Sequence, residues 1–165
     1  MSNMSQLLQS IPQIGQVKWI GSRPKRKENL ESVASAIITI DDGLVEDHYS
    51  KKQGKRQVTL IQHEHLAAVA GLLHQEAPIN PQLTRRNIVV AGINLNALKD
   101  QRFQIGEEVI LQGTGYCHPC SRMEKNLGPG GYNAMRGHGG ITARVIQGGT
   151  IHKGDKITFL ATVAK

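Results

Sequence analysis

The apolar residues of this chain come in short runs, and 18 glycines are spread among them. A chain built this way favours brief strands joined by tight turns, because β-branched residues suit extended backbone and glycine supplies the positive φ that turns require. Gln16-Val17-Lys18-Trp19-Ile20 alternates as a strand does, 36–40 reads as a second strand closed by Asp41-Asp42-Gly43, and Gln57-Val58-Thr59-Leu60-Ile61 reads as a third. That third strand passes into a helix in which Leu66, Val69, Ala70 and Leu73 fall at helical spacing, with Glu64 near the positive end of its dipole. After Pro78 and Pro81 come Ile88-Val89-Val90, Ala91-Gly92-Ile93, Phe103-Gln104-Ile105-Gly106, the runs 107–112, 141–146 and 157–160, and turns at Gly148-Gly149 and Gly154-Asp155. About seven short strands and one clear helix predict a mainly β chain with α decoration, an α+β fold whose curved sheet forms a small barrel. No repeat at a fixed period is visible, and the one biased segment is the Gly-rich stretch 128–140.

A length of 165 residues suits one domain, 1–165, with its core at about 17–160. Twenty Lys and Arg against 13 Asp and Glu give a formal charge of +7, which suits anionic partners and equally a solvated basic surface. With aromatics at only 4%, a base-stacking platform for nucleic acid is poorly supported, and a small phosphorylated ligand fits better. The main charge run, 22–31, carries Arg23, Lys25, Arg26 and Lys27 around Pro24 and reads either as a solvated hinge or as an anion-binding lip. No signal-peptide pattern and no membrane-length apolar run is present, so the expectation is a cytoplasmic protein with no membrane partner.

In that compartment Cys117 and Cys120 of Cys117-His118-Pro119-Cys120, the chain's two cysteines, should be reduced thiols. Ser121 can cap a short helical turn through Met123 and Leu127, which with Arg122 and Lys125 nearby favours thiolate at Cys120. Such a sulfur binds soft metals or attacks sulfur; two thiols simply packed in a turn is the bland alternative. A thioredoxin-like dithiol is disfavoured because no βαβ rhythm surrounds the pair. A structural zinc site needs four ligands, which Cys117 and Cys120 would have to complete with His118 or His138 and a remote histidine such as His152, and the second Cys-x-x-Cys that makes such sites recognisable is absent. His63 and His65 lie two apart and lack the His-Glu-x-x-His pattern. Arg85, Arg86 and Asn87 at a strand entrance are candidate phosphate anchors, since guanidinium forks bind phosphate oxygens bidentately. Gly137, Gly139 and Gly140 around His138 would admit a ligand close to the backbone or form a simple turn. Asp47 and His48 would orient a ligand or, for the aspartate, cap backbone amides, and Asp155 reads as a turn former.

Gly43-Leu44 with Asp47-His48, Gln57-Val58-Thr59-Leu60-Ile61, Arg86-Asn87-Ile88, Phe103-Gln104-Ile105-Gly106, Pro119-Cys120 and Gly149-x-Ile151-x-x-Gly154-Asp155 follow one another in an order that resembles MOSC domains, those related to the C-terminal part of molybdenum cofactor sulfurase. The likeness spans about 17–160, and it lies in the ordered set rather than in any one motif. It implies a barrel like that of MOSC and pyruvate kinase domains, binding molybdenum cofactor (molybdopterin with its molybdenum). It also implies that Cys120 is the metal ligand or the sulfur carrier, with Cys117 as an additional candidate ligand. Arg85, Arg86, Asn87, Asp47, His48, His138 and Gly139 then become candidate cofactor-binding residues. Stand-alone bacterial relatives imply an oxidoreductase acting on N-hydroxylated compounds with a separate electron-donor protein. The alternative is a carrier that holds cofactor or persulfide on Cys120 without turnover. Pyridoxal phosphate would belong to a sulfurase domain that this sequence does not contain.

Overall fold

The computed structural model describes residues 3–23, 30–47 and 54–162. In chain order these form α1 (Met4–Gln9), β1 (Gly15–Ser22), β2 (Glu31–Ser32), β3 (Ser35–Thr39), β4 (Gly43–Leu44), β5 (Val58–Gln62), α2 (His63–Leu72), β6 (Ile88–Ala91), β7 (Gln101–Ile105), β8 (Val109–Tyr116), α3 (Ser121–Leu127), α4 (Gly131–Met135), β9 (Ile141–Gln147), β10 (Gly149–His152) and β11 (Lys156–Thr162). Neighbouring strands run β1-β6-β5-β9-β8-β7-β11, and β11 pairs back onto β1 through Gly15 with Ile157 and Gln16 with Lys156. That last ladder closes the curved sheet into a seven-stranded barrel. A smaller sheet of β10, β3 and β4 lies beside it, and β2 extends the far end of β1.

The expected strands sit where the short β-branched runs predicted them, and the expected helix is α2. One feature differs from the sequence expectation: β5 and β6 pair in parallel, Leu60 beside Ile88 and Gln62 beside Val90, with α2 in the crossover. The chain therefore contains one βαβ unit, and the cysteines lie well outside it. The pairing explains why Ile88-Val89-Val90 is apolar without alternation, since both faces of a strand in such a unit are covered. Leu60, Ile88 and Val90 point into the barrel with Phe103, Ile105 and Leu111, whereas Ile61 and Val89 face a second cluster with Leu66, Val69, Met123 and Met135 from the helices. Each such side chain removed from water contributes about 1.5–3 kcal/mol.

The Gly-rich stretch holds more structure than its composition implies. Gly131 opens α4 where a Cβ would press 2.7 Å from Leu127 Cβ and from the Met123 carbonyl, so its glycine lets α3 and α4 cross closely. Glu124 of α3 then accepts hydrogen bonds from the Gly130 and Tyr132 N–H groups at 2.9 and 3.0 Å, which fixes the entrance of α4. Those two amides hold the Glu124 carboxyl below the usual carboxylate value. No helix among the described residues is long and apolar enough to cross a membrane.

Candidate functional site

The parallel strands β5 and β6 bring their entrances side by side, and the segment 117–120 between β8 and α3 lies against them. Between these segments is a cleft of about 360 Å³, lined by Arg56, Gln57 and Thr59 from the β5 entrance, by Arg85, Arg86 and Asn87 from the β6 entrance, by Arg23 after β1, and by Cys117, His118 and Cys120. This volume falls within the range of roughly 300–1,000 Å³ that small-molecule sites occupy.

The three consecutive candidates at the β6 entrance have separate tasks. Arg86 is buried, and its guanidinium donates to three backbone carbonyls: Nε to Gly139 at 2.8 Å, Nη1 to Thr84 at 3.1 Å and Nη2 to His118 at 3.5 Å. It thereby ties the β6 entrance to both segments that flank the cysteines. Burial pushes its pKa below the ordinary arginine value, thiolate charge at Cys117 or Cys120 would oppose that, and Arg56 and Arg85 add to the lowering. Asn87 is likewise occupied: its Oδ1 accepts from the Thr59 N–H and hydroxyl at 3.3 and 3.1 Å, and its Nδ2 donates to the Gly21 carbonyl at 3.2 Å. Arg85 is half-buried, sits at φ +59°, and makes no hydrogen bond or ion pair with the described residues. A left-handed backbone at a non-glycine residue is strained and points its side chain where a regular strand would not.

Arg56 reaches across the cleft, with Nη2 3.9 Å from Cys117 Sγ. Among the described residues no carboxylate pairs with Arg56, Arg85 or Arg86. These three guanidinium groups thus share one cleft with no carboxylate partner among the described residues, an arrangement that attracts an anion.

The two thiols are free and differ in access: Cys117 is 4% exposed, whereas Cys120 is open to solvent. The Cys117 N–H donates to the Gly140 carbonyl at 2.8 Å, which continues the β8–β9 ladder and holds Cys117 in place. Ser121 was the expected cap of the following helix, but the cap position is Cys120 itself, and Ser121 is the first residue of α3. The Cys120 side chain makes no capping hydrogen bond and remains available at the cleft.

The remaining candidates are distributed around this centre. Asp47 is buried and its Oδ1 accepts from the Arg23 N–H at 2.7 Å, the backbone-capping role that its sequence context offered. Arg23 is the one basic residue of the run 22–31 whose position is described, and it is buried in the cleft wall; His48 lies outside the described residues. Gly139 sits where a Cβ would overlap the Cys117 carbonyl, so its glycine lets two backbone segments touch beneath the thiol. His138 does not line this cleft; its Nδ1 is 3.1 Å from the Ala134 carbonyl and its ring stands edge-on to His65, centroids 4.8 Å apart. No group of three or more His, Cys, Asp or Glu among the described residues is placed to hold a metal, which removes the zinc site of Cys117, Cys120 and His138. Asp155 accepts from the His152 N–H at 2.7 Å and forms the expected turn.

Sequence reading missed Arg56 and Gln57 as site residues. Gln57 is 2% exposed, donates Nε2 to the Ile40 carbonyl at 2.6 Å and accepts from the Val145 N–H at 2.8 Å, bracing the β5 entrance. A polar residue opening a strand carries no local signal of such a role.

Barrel and cleft together define a class of protein: a small closed β-barrel with an arginine-rich cleft edged by an exposed thiol. The chain belongs to the MOSC domain family, whose sequence profile matches residues 44–158, a span containing every cleft residue except Arg23. This is a family associated with the molybdenum cofactor. Among solved structures, the YUAD protein from Bacillus subtilis is similar at 17% identity with a TM-score of 0.78, over 89% of this chain and 96% of that one. YiiM from Geobacillus stearothermophilus is similar at 18% identity and a TM-score of 0.71, over 88% of this chain and 75% of that one. YiiM from Escherichia coli gives 17%, 0.67, 91% and 72% for the same quantities. At such identities the likeness establishes the fold alone. No curated protein matches the sequence significantly.

Proposed function

We propose that this chain binds molybdenum cofactor in the cleft and acts as the reductase component for N-hydroxylated compounds, with electrons from a separate donor protein. What carries the reading is the convergence of the guanidinium groups of Arg56 and Arg85, neither paired with a carboxylate among the described residues, with the exposed thiol of Cys120 in one cleft. The donor set fits the cofactor's two ends: a soft sulfur for molybdenum and hard cations for phosphate. In this reading Cys120 ligates the metal, Arg85 takes the phosphate as a bidentate fork with Arg56 beside it, and Arg86 holds the cleft walls rather than the ligand. When bound, the cofactor supplies two-electron redox chemistry at its metal. Reduction of an N-hydroxyl group takes up an electron pair and two protons and releases the amine and water.

Metal and pterin analysis of protein from a cofactor-competent host tests this. The wild type should carry both; Arg85→Ala should weaken phosphate-end binding by about tenfold or more, as expected for loss of a charge-assisted contact. Cys120→Ser should lose molybdenum. Full molybdenum content and activity in Cys120→Ser would remove the ligand assignment. Cofactor content without turnover, whatever the electron donor supplied, would favour the carrier reading instead.

A further inference from the structure

Next to the basic cleft is a second, smaller opening of about 190 Å³, and the two share Cys117 and His118 in their walls. Their linings differ in charge. The larger is walled by arginines, whereas no Lys, Arg, Asp or Glu side chain lines the smaller, whose walls include Asn96, Tyr116, Pro119 and Gly137. We propose that this uncharged slot is a separate subsite that receives a neutral, flat group of the substrate, an aryl ring or a planar amide, while the arginine cleft takes anionic groups.

Size, shape and chemistry each point this way. A volume below the roughly 300 Å³ at which whole-ligand sites begin suits a fragment the size of one ring. Gly137 sits at φ +82°, and a Cβ built on it meets no heavy atom within 4 Å, so the wall there is bare backbone beside open space. Tyr116 ends β8 with 51% of its surface exposed, and the Lys99 ammonium lies 5.6 Å from its ring centroid. A half-exposed aromatic ring offers a face for stacking another flat group. Asn96 uses its backbone N–H toward Asn94 Oδ1 at 3.1 Å, while its side-chain amide makes no hydrogen bond among the described residues and can both donate and accept. A cation entering this slot would lose water and meet no carboxylate in its lining, and an anion would meet no charged side chain there, the Lys99 ammonium standing 5.6 Å from the Tyr116 ring centroid rather than in the wall; a neutral amide would be matched by the Asn96 side chain. The proposal rests on the cofactor reading for its chemistry, since it names what part of the substrate enters the slot next to the cleft that holds Cys120; the binding itself does not depend on that reading.

The test uses the full chain without cofactor and two probes of nearly the same shape, benzamide and benzoate, followed by backbone amide shifts in an NMR titration. Benzamide should perturb the Tyr116, Gly137 and Gly140 amides, and its affinity should fall by about tenfold in Tyr116→Ala and in Gly137→Asn, where asparagine tolerates the positive φ and fills the space. Benzoate should perturb the Arg85 and Arg86 amides, bind as tightly to Tyr116→Ala as to wild type, and lose affinity in Arg85→Ala; retained benzoate binding also shows that the slot variants are folded. Benzamide that fails to bind at millimolar concentration, binds equally to wild type and both variants, or shifts the slot no more than benzoate does, would overturn the proposal. Absence of pterin and molybdenum from cofactor-loaded preparations would instead sink the cofactor reading and leave the benzamide result standing.

Discussion

Arg85 and Arg86 are adjacent in sequence, alike in charge and opposite in use. Arg86 donates to the carbonyls of Gly139, Thr84 and His118, so removing it strands the buried acceptors of Gly139 and Thr84. Arg86→Ala should lower unfolding free energy by about 1–3 kcal/mol, the cost of buried groups left without partners. Arg85→Ala should leave it within about 0.5 kcal/mol, as for a surface change, while impairing anion binding. Urea unfolding of both variants beside phosphate binding checks this; equal destabilisation would erase the distinction. The same logic separates Cys117, held by the Gly140 carbonyl and nearly inaccessible, from Cys120, which is open at the cleft.

At the level of elements, α2 packs on α4 through an apolar cluster that includes Leu66, Val69 and Met135, with a pair of histidine rings beside it. His65 of α2 faces His138, which follows α4, and the His65 pKa is lowered from 6.5, first by burial and then by His138, with Glu64 acting in the opposite direction. A base with a depressed folded value takes up its proton in the unfolded chain first. The contribution of His65 to stability is therefore complete above about pH 6.5 and is lost as pH falls through that value toward the folded one. His65→Gln should flatten the decline of Tm between about pH 7.5 and 5. An unchanged slope in that variant would mean that other groups govern the acid sensitivity. None of this was legible locally, because His65 and His138 are distant in sequence and neither lies in a recognisable motif.

For the whole molecule, stability depends on an interior assembled from every part of the chain. Phe103 is fully buried at the centre of the barrel cluster, which also draws on β1, β5, β6, β8, β9 and β11. Phe103→Ala should cost about 3–5 kcal/mol, the transfer term plus the cavity it leaves. Chemical denaturation measures it, and a loss under about 1 kcal/mol would show that the interior collapses around the gap. Closure, by contrast, relies on a short ladder between β1 and β11, reinforced by the Val17 N–H donating to the Asp155 carbonyl at 2.8 Å and the Gly154 N–H donating to the Val17 carbonyl at 2.8 Å.

Most of the strands, the helix α2 and the turn at Gly154 were legible in the sequence, which also singled out Cys120 and the Arg85–Asn87 corner as candidates, because propensity, periodicity and ordered motifs act over a few residues. The parallel pairing of β5 with β6, the closure of β1 on β11, the use of Arg86 as a wall brace and the recruitment of Arg56 to the cleft became visible in the folded chain. Those outcomes depend on which backbone groups and charges meet across long stretches of chain, where burial and unsatisfied hydrogen bonds, rather than local preference, set the free energy.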